Sequence, residues 1–169
     1  RVLFRSTRVE EATLHVTQQL AGIGAGLMFV VLAALFAGAF VTGTAGSIII
    51  IVAAAIGAYM AINIGANDVT NNVGPAVGAK AMPLAVALIV AAICEIAGAL
   101  ITGGNVVETI SSGIINVGTI PDRTAFSWAM LSALLAAGLL VNISTWTRAP
   151  ISTTHTVVGG VAGAGMAAY

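Results

Sequence analysis

Asn67, Asp68, Asn71 and Asn72 set three carboxamides and a carboxylate side by side, framed by Gly65, Gly74 and Pro75 and preceded by a long apolar run. An ionisable group at membrane depth is costly enough to demand a function. If the segment is helical, Asn67 and Asn71 share a face and Asp68 shares one with Asn71 or Asn72, so side-chain oxygens converge on a small hard cation. Gly65 and Gly74 permit close backbone approach, and Pro75 is suited to begin a new helical segment. A helix broken here would expose N–H groups that attract an anion and carbonyls that attract a cation, so one break holds both. Capping and helix–helix adhesion alone require fewer polar groups than this.

A second cluster follows Pro150. Ser152, Thr153 and Thr154 place hydroxyls and backbone N–H groups at a helix start, fit for an oxyanion, and His155 is a further donor. The plainer alternative is an N-cap with a spare histidine. Glu108 with Thr109, Ser111 and Ser112 offers a cation site or proton relay, or else an interfacial cap. Glu95, alone on an apolar helix, is expected to be buried or to face a cavity, paired with a basic group or engaged in coupling. Ser152, His155 and Asp68 are also sufficient in type for an intramembrane hydrolase triad, but no Gly-x-Ser-x-Gly elbow is present. Gly159, Gly160, Gly163 and Gly165 offer the packing face of an assembly subunit, a reading that leaves Asp68 unexplained.

The elements that must position these groups are membrane helices. Hydrophobic residues make up 59% of the chain and charged residues 7%, far below the roughly 25% of soluble domains. Six basic and six acidic residues give no net charge, so bulk charge implies no nucleic-acid partner. Residues 1–19 form a polar arm and residues 20–169 the membrane domain. Leu20 to Val41 is apolar throughout and long enough at ~1.5 Å per residue to cross a ~30 Å hydrocarbon core. Thr42 to Ser47 turns the chain into a second helix from Ile48 to Ile64, forming a hairpin that runs into the first motif. Leu84 to Ile101 is a third span, holding Cys94 as a small packing residue. Thr102-Gly103-Gly104 is expected to break it, leaving residues 105–115 as a short inner helix. Gly118 to Arg123 reads as an aqueous turn. Thr124 to Trp146 is a fourth span with Trp128 and Trp146 near its ends, as an aromatic belt places them. Asn142-Ile143-Ser144 matches a glycosylation sequon but lies inside this span. The fold class is all-α and polytopic, with broken or re-entrant helices.

Gly65-Ala66-Asn67-Asp68-Val69-Thr70-Asn71-Asn72 resembles the first signature of the inorganic phosphate transporter (PiT) family, and Pro150-Ile151-Ser152-Thr153-Thr154-His155 resembles its second. Glu95 and the string from Glu108 to Ile114 fall where that family places glutamates. The resemblance spans residues 47–169. It departs at Thr70, where alanine is usual, and at Pro75 to Lys80, where the family is richer in serine and glycine. The resemblance implies secondary active transport of inorganic phosphate with sodium or protons, no bound cofactor, and residence in a bacterial-type inner or plasma membrane. It further implies two inverted repeats sharing a central site. This chain holds one of them and reads as a fragment, the other lying in the same chain or in a homodimer partner. By resemblance, Asn67, Asp68 and Asn71 serve phosphate and cation, Ser152, Thr153 and Thr154 hold phosphate oxygens, and Glu108 serves coupling. Glu95, Asn72 and His155 are secondary candidates. Hydroxyls and helix ends recognise tetrahedral shape and charge, so sulfate is the alternative substrate.

Overall fold

The computed structural model describes residues 2–109 and 122–167, so the Ser111–Ser112 part of the glutamate string and the turn residues before Asp122 lie outside it. The described residues form helices and connections with no strand: α1 (Val2–Val41), α2 (Ser47–Asp68), a π-helical turn (Val69–Val73), α3 (Gly74–Gly78), α4 (Leu84–Glu108), α5 (Arg123–Trp146) and α6 (Thr153–Ala167). Among the described residues four stretches are long and apolar enough to cross a bilayer: Leu20–Val41, Ser47–Gly78, Leu84–Glu108 and Arg123–Trp146. The chain is an all-α, integral membrane protein.

The chain divides into two compact units, residues 1–58 and 59–169. In the first, the polar arm is helical and runs into the first span without interruption, giving a single helix of 40 residues. Its apolar residues face outward along the span, as lipid-facing positions do. The turn to α2 uses Gly43 and Gly46, both at positive φ (86° and 83°), and the Thr44 hydroxyl donates to the Val41 carbonyl at 2.8 Å. Ile51 of α2 then rests against Gly38 of α1, the expected hairpin contact.

In the second unit small residues let helices approach. A Cβ added at Gly138 of α5 would lie 3.2 Å from the Tyr59 ring of α2, and one at Gly160 of α6 would lie 3.3 Å from the Ala133 carbonyl oxygen of α5. Without a hydrophobic drive between helices in lipid, such close approach supplies the dispersion contacts that hold them together. Val141, fully buried on α5, and Val161 of α6 packed with Phe126, Met130 and Val157 mark the core. Asp122 caps α5, its carboxylate accepting from the N–H groups of Thr124 and Ala125 at 2.9 and 3.0 Å. Trp128 and Trp146 are exposed toward the two ends of that helix.

Four expectations are corrected. Gly103 and Gly104 do not break α4, which continues to Glu108. Each glycine costs a helix only ~1 kcal/mol relative to alanine, whereas opening the backbone in lipid strands N–H and C=O groups at several kcal/mol each. Within this chain Glu95 is not buried and lines none of the described cavities; it lies exposed halfway along α4, next to an exposed Cys94 that is therefore no packing residue within this chain. The stretch Gly65 to Gly78 is irregular, and α3 starts at Gly74 with Pro75 in its first turn, as expected, but the backbone stays helical through the stretch and no open break forms there. The open interruption lies between α5 and α6, at residues 149–152.

The packing account gives a direct check. Gly160→Val should lower the thermal stability of the protein in detergent micelles by an amount corresponding to ~1–3 kcal/mol, because its branches meet a backbone carbonyl. Gly163→Ala, where an added Cβ meets nothing within 4 Å, should leave the melting temperature unchanged or slightly raised.

Candidate functional site

The π turn explains how the first motif is presented. Pro75 has no N–H to give, and in a regular α-helix its ring would press on the carbonyl four residues back, that of Asn71. Widening the preceding turn relieves this, and the Gly74 N–H reaches the Val69 carbonyl across a π-type bond. The Thr70 hydroxyl donates to the Ala66 carbonyl at 3.1 Å, the back-bond to residue i−4 that threonine commonly makes within a helix.

Around this turn a line of carboxamides runs up α2. Asn71 Nδ2 donates to Asn67 Oδ1 at 2.9 Å, Asn67 Nδ2 donates to Thr145 Oγ1 of α5 at 3.2 Å, and the Thr145 hydroxyl donates to the Val141 carbonyl at 2.9 Å. One turn below, Asn142 Nδ2 of α5 donates to Asn63 Oδ1, while Asn63 Nδ2 donates to the Tyr59 carbonyl at 2.8 Å. Asn67 is only 3% exposed and Asn63 5%, depths at which an unpaired carboxamide would be costly. Each has one bond to α5 and one within its own helical segment, so the two rungs clamp α2 to α5 beneath the motif. From the sequence neither Asn63 nor Thr145 stands out, and Asn142 reads only as part of a sequon. The i, i+4 spacing of Asn63, Asn67 and Asn71 was the available signal for the first of them.

Above the clamp a cleft of about 450 Å³ opens between the first motif and the approach to the second. It is lined by Asn67, Thr70, Asn71, Thr145, Arg148, Ala149 and Pro150. The structure thus brings Asn67 and Asn71 together, as expected, and joins them to the run that leads into the second motif. Asp68, half-buried, and Asn72, exposed, do not line the cleft. Nor do Ser152, Thr153, Thr154 and His155. Ser152 caps α6: its Oγ accepts from the His155 N–H at 3.3 Å and lies 2.6 Å from His155 Nδ1. The hydroxyl and histidine therefore serve each other at the helix start, with the exposed Thr154 beside them. Among the described residues no hydrogen bond joins Asp68 to His155, so the hydrolase triad is not assembled. Glu108 ends α4, and the Thr109 hydroxyl turns back to the Asn105 carbonyl at 2.9 Å.

The profile of the phosphate transporter family matches residues 64–169, a stretch that contains both motifs and the cleft between them. The chain belongs to the phosphate transporter family. Proteins named "putative phosphate permease" share its sequence across distant organisms. One from Helicobacter pylori is 47% identical over 159 residues, 94% of this chain and 30% of that protein. One from Mycobacterium bovis is 45% identical over 124 residues, 73% of this chain and 22% of that protein. One from the archaeon Thermococcus kodakarensis is 41% identical over 111 residues, 66% of this chain and 27% of that protein. The chain therefore spans less than a third of the length of these relatives. No solved structure matches it.

The clamp itself is measurable. A double-mutant cycle with Asn67→Ala and Thr145→Val, read by thermal unfolding in micelles, should give a coupling of ~0.5–1.5 kcal/mol. Strictly additive effects would mean that the two side chains do not meet.

Proposed function

We propose that this chain is the half of a secondary active transporter that carries inorganic phosphate across the membrane with sodium or protons. The observation that carries the reading is the cleft at which Asn67 and Asn71 of the first family motif meet the residues leading into the second. A dianion cannot enter a membrane interior alone, because its desolvation costs many kcal/mol. Carboxamide and hydroxyl donors around the cleft replace part of its water shell. Asn67, Asp68 and Asn71 form the shared phosphate and cation site, with Asn72 at its edge. Ser152, Thr153 and Thr154, with His155, offer oxygens and N–H groups to the phosphate at the start of α6. Glu108 takes part in coupling.

Asp68 gives the mechanism its logic. A carboxylate near phosphate repels it unless a cation or proton is bound between them, so occupancy of the cation position makes the anion position tolerable. Transport is then obligatorily coupled. Glu95, exposed at mid-span on α4, needs a partner or a proton at that depth. The remainder of the transporter covers this face, through a second inverted repeat supplied by the same chain or a second copy. The length of the relatives supports the same-chain arrangement, since it leaves room for a second repeat.

Uptake of labelled phosphate into vesicles holding the complete gene product tests this. An inward gradient of sodium or of protons should drive uptake, and Asp68→Asn should reduce the driven rate by at least tenfold. Uptake indifferent to both gradients and to Asp68→Asn would contradict the proposal. Excess sulfate should leave phosphate uptake intact; full competition would move the reading to another oxyanion.

A further inference from the structure

The turn that follows α5 carries a cation where a helix end ordinarily carries glycine. Arg148 sits at φ 59°, in the left-handed region that a residue with a Cβ enters at a cost. The turn closes in the Schellman pattern, the Ala149 N–H reaching the Ser144 carbonyl at 2.8 Å and the Arg148 N–H the Thr145 carbonyl at 3.1 Å. Its counterpart after α3 is built alike. Lys80 stands at φ 58°, with the Ala81 N–H on the Ala76 carbonyl at 3.0 Å and the Lys80 N–H on the Val77 carbonyl at 3.0 Å. A cation at a helix C-terminus is favoured by the helix dipole, which accounts for both turns alike.

The two turns differ in what they face. Lys80 does not line the cleft, whereas Arg148 does, and it is the one charged side chain among the residues that line it. The other polar groups there, Asn67, Thr70, Asn71 and Thr145, are neutral, so Arg148 carries the one formal charge among the lining residues. Among the described residues no carboxylate is paired with it. The left-handed turn places the arginine immediately after the helix that Asn67 grips through Thr145, so the same clamp that holds the carboxamides holds the root of this side chain.

We infer that Arg148 is a substrate-recognition residue, whose guanidinium binds two oxygens of the oxyanion in the Asn67–Asn71 cleft. A planar fork of N–H donors matches a tetrahedral oxyanion in a way that an ammonium does not. This assignment rests on the phosphate-transport reading above and adds to it the group that supplies positive charge. It also separates duties within the site. Arg148 and the carboxamides address the anion, and Asp68, outside the cleft lining, is left to address the cation.

Arg148→Gly, Arg148→Lys and Lys80→Gly in the complete gene product test this by phosphate uptake kinetics in vesicles, with thermal stability measured beside them. Glycine suits the left-handed turn better than arginine, so Arg148→Gly should be at least as stable as the parent. Its KM for phosphate should nevertheless rise about tenfold or more, as loss of a charge-assisted contact predicts. Arg148→Lys should recover part of that loss, and Lys80→Gly should leave KM unchanged. An Arg148→Gly protein with the parent's KM overturns the inference while leaving the transport reading intact. One that fails to fold also overturns it, by assigning the arginine to structure. A parent protein that takes up no phosphate overturns the transport reading, and this inference with it.

Discussion

A buried carboxamide in a membrane helix must find its partners inside the protein, and the arrangement of residues 59–169 depends on where Asn67 finds them. Its oxygen is met by Asn71 one turn on and its nitrogen by Thr145 of α5, 78 residues away along the chain. Water could satisfy the same groups in a soluble protein at little cost; in hydrocarbon each unmet group costs several kcal/mol. The bond is therefore both an adhesive and a register mark. Together with the Asn63–Asn142 rung below it, it fixes the rotation of α2 against α5 and determines which side chains face the cleft.

The departures from regular helix then fall where the site needs them. The π turn at Val69–Val73 accommodates Pro75 without opening the backbone, so the motif projects its polar groups while the helix keeps its internal bonds. The true interruption, at residues 149–152, comes where the chain passes the cleft on its way from α5 to α6. Glycine supplies the remaining freedom. Gly138 and Gly160 allow α2, α5 and α6 to approach within contact distance, which brings two motifs that are distant in sequence to neighbouring ends of packed helices.

Much of this was legible in the amino-acid sequence. The four spans and the hairpin follow from composition and run length, and the family from the resemblance of the two motifs to its signatures. The face shared by Asn67 and Asn71 follows from the helical period. What was not legible has a common cause. Asn142 read as an irrelevant sequon and Thr145 as an ordinary span residue because their meaning lies in a partner on another helix. The turn at Arg148 was not legible because a left-handed conformation is a property of backbone geometry. Gly103 and Gly104 read as a break because glycine propensities are scaled to water, where an opened backbone is solvated. In lipid that balance reverses.

The central claim, that phosphate occupies the cleft between the two motifs, is tested most directly by protection of a cleft residue. Thr70 lines the cleft and is exposed. In a Cys94→Ser background, Thr70→Cys should react with a membrane-impermeant thiol reagent, and millimolar phosphate together with the coupling cation should slow that reaction several-fold, while chloride at equal ionic strength should not. A labelling rate unaffected by phosphate, in protein that still transports it, would place the substrate elsewhere and contradict the account.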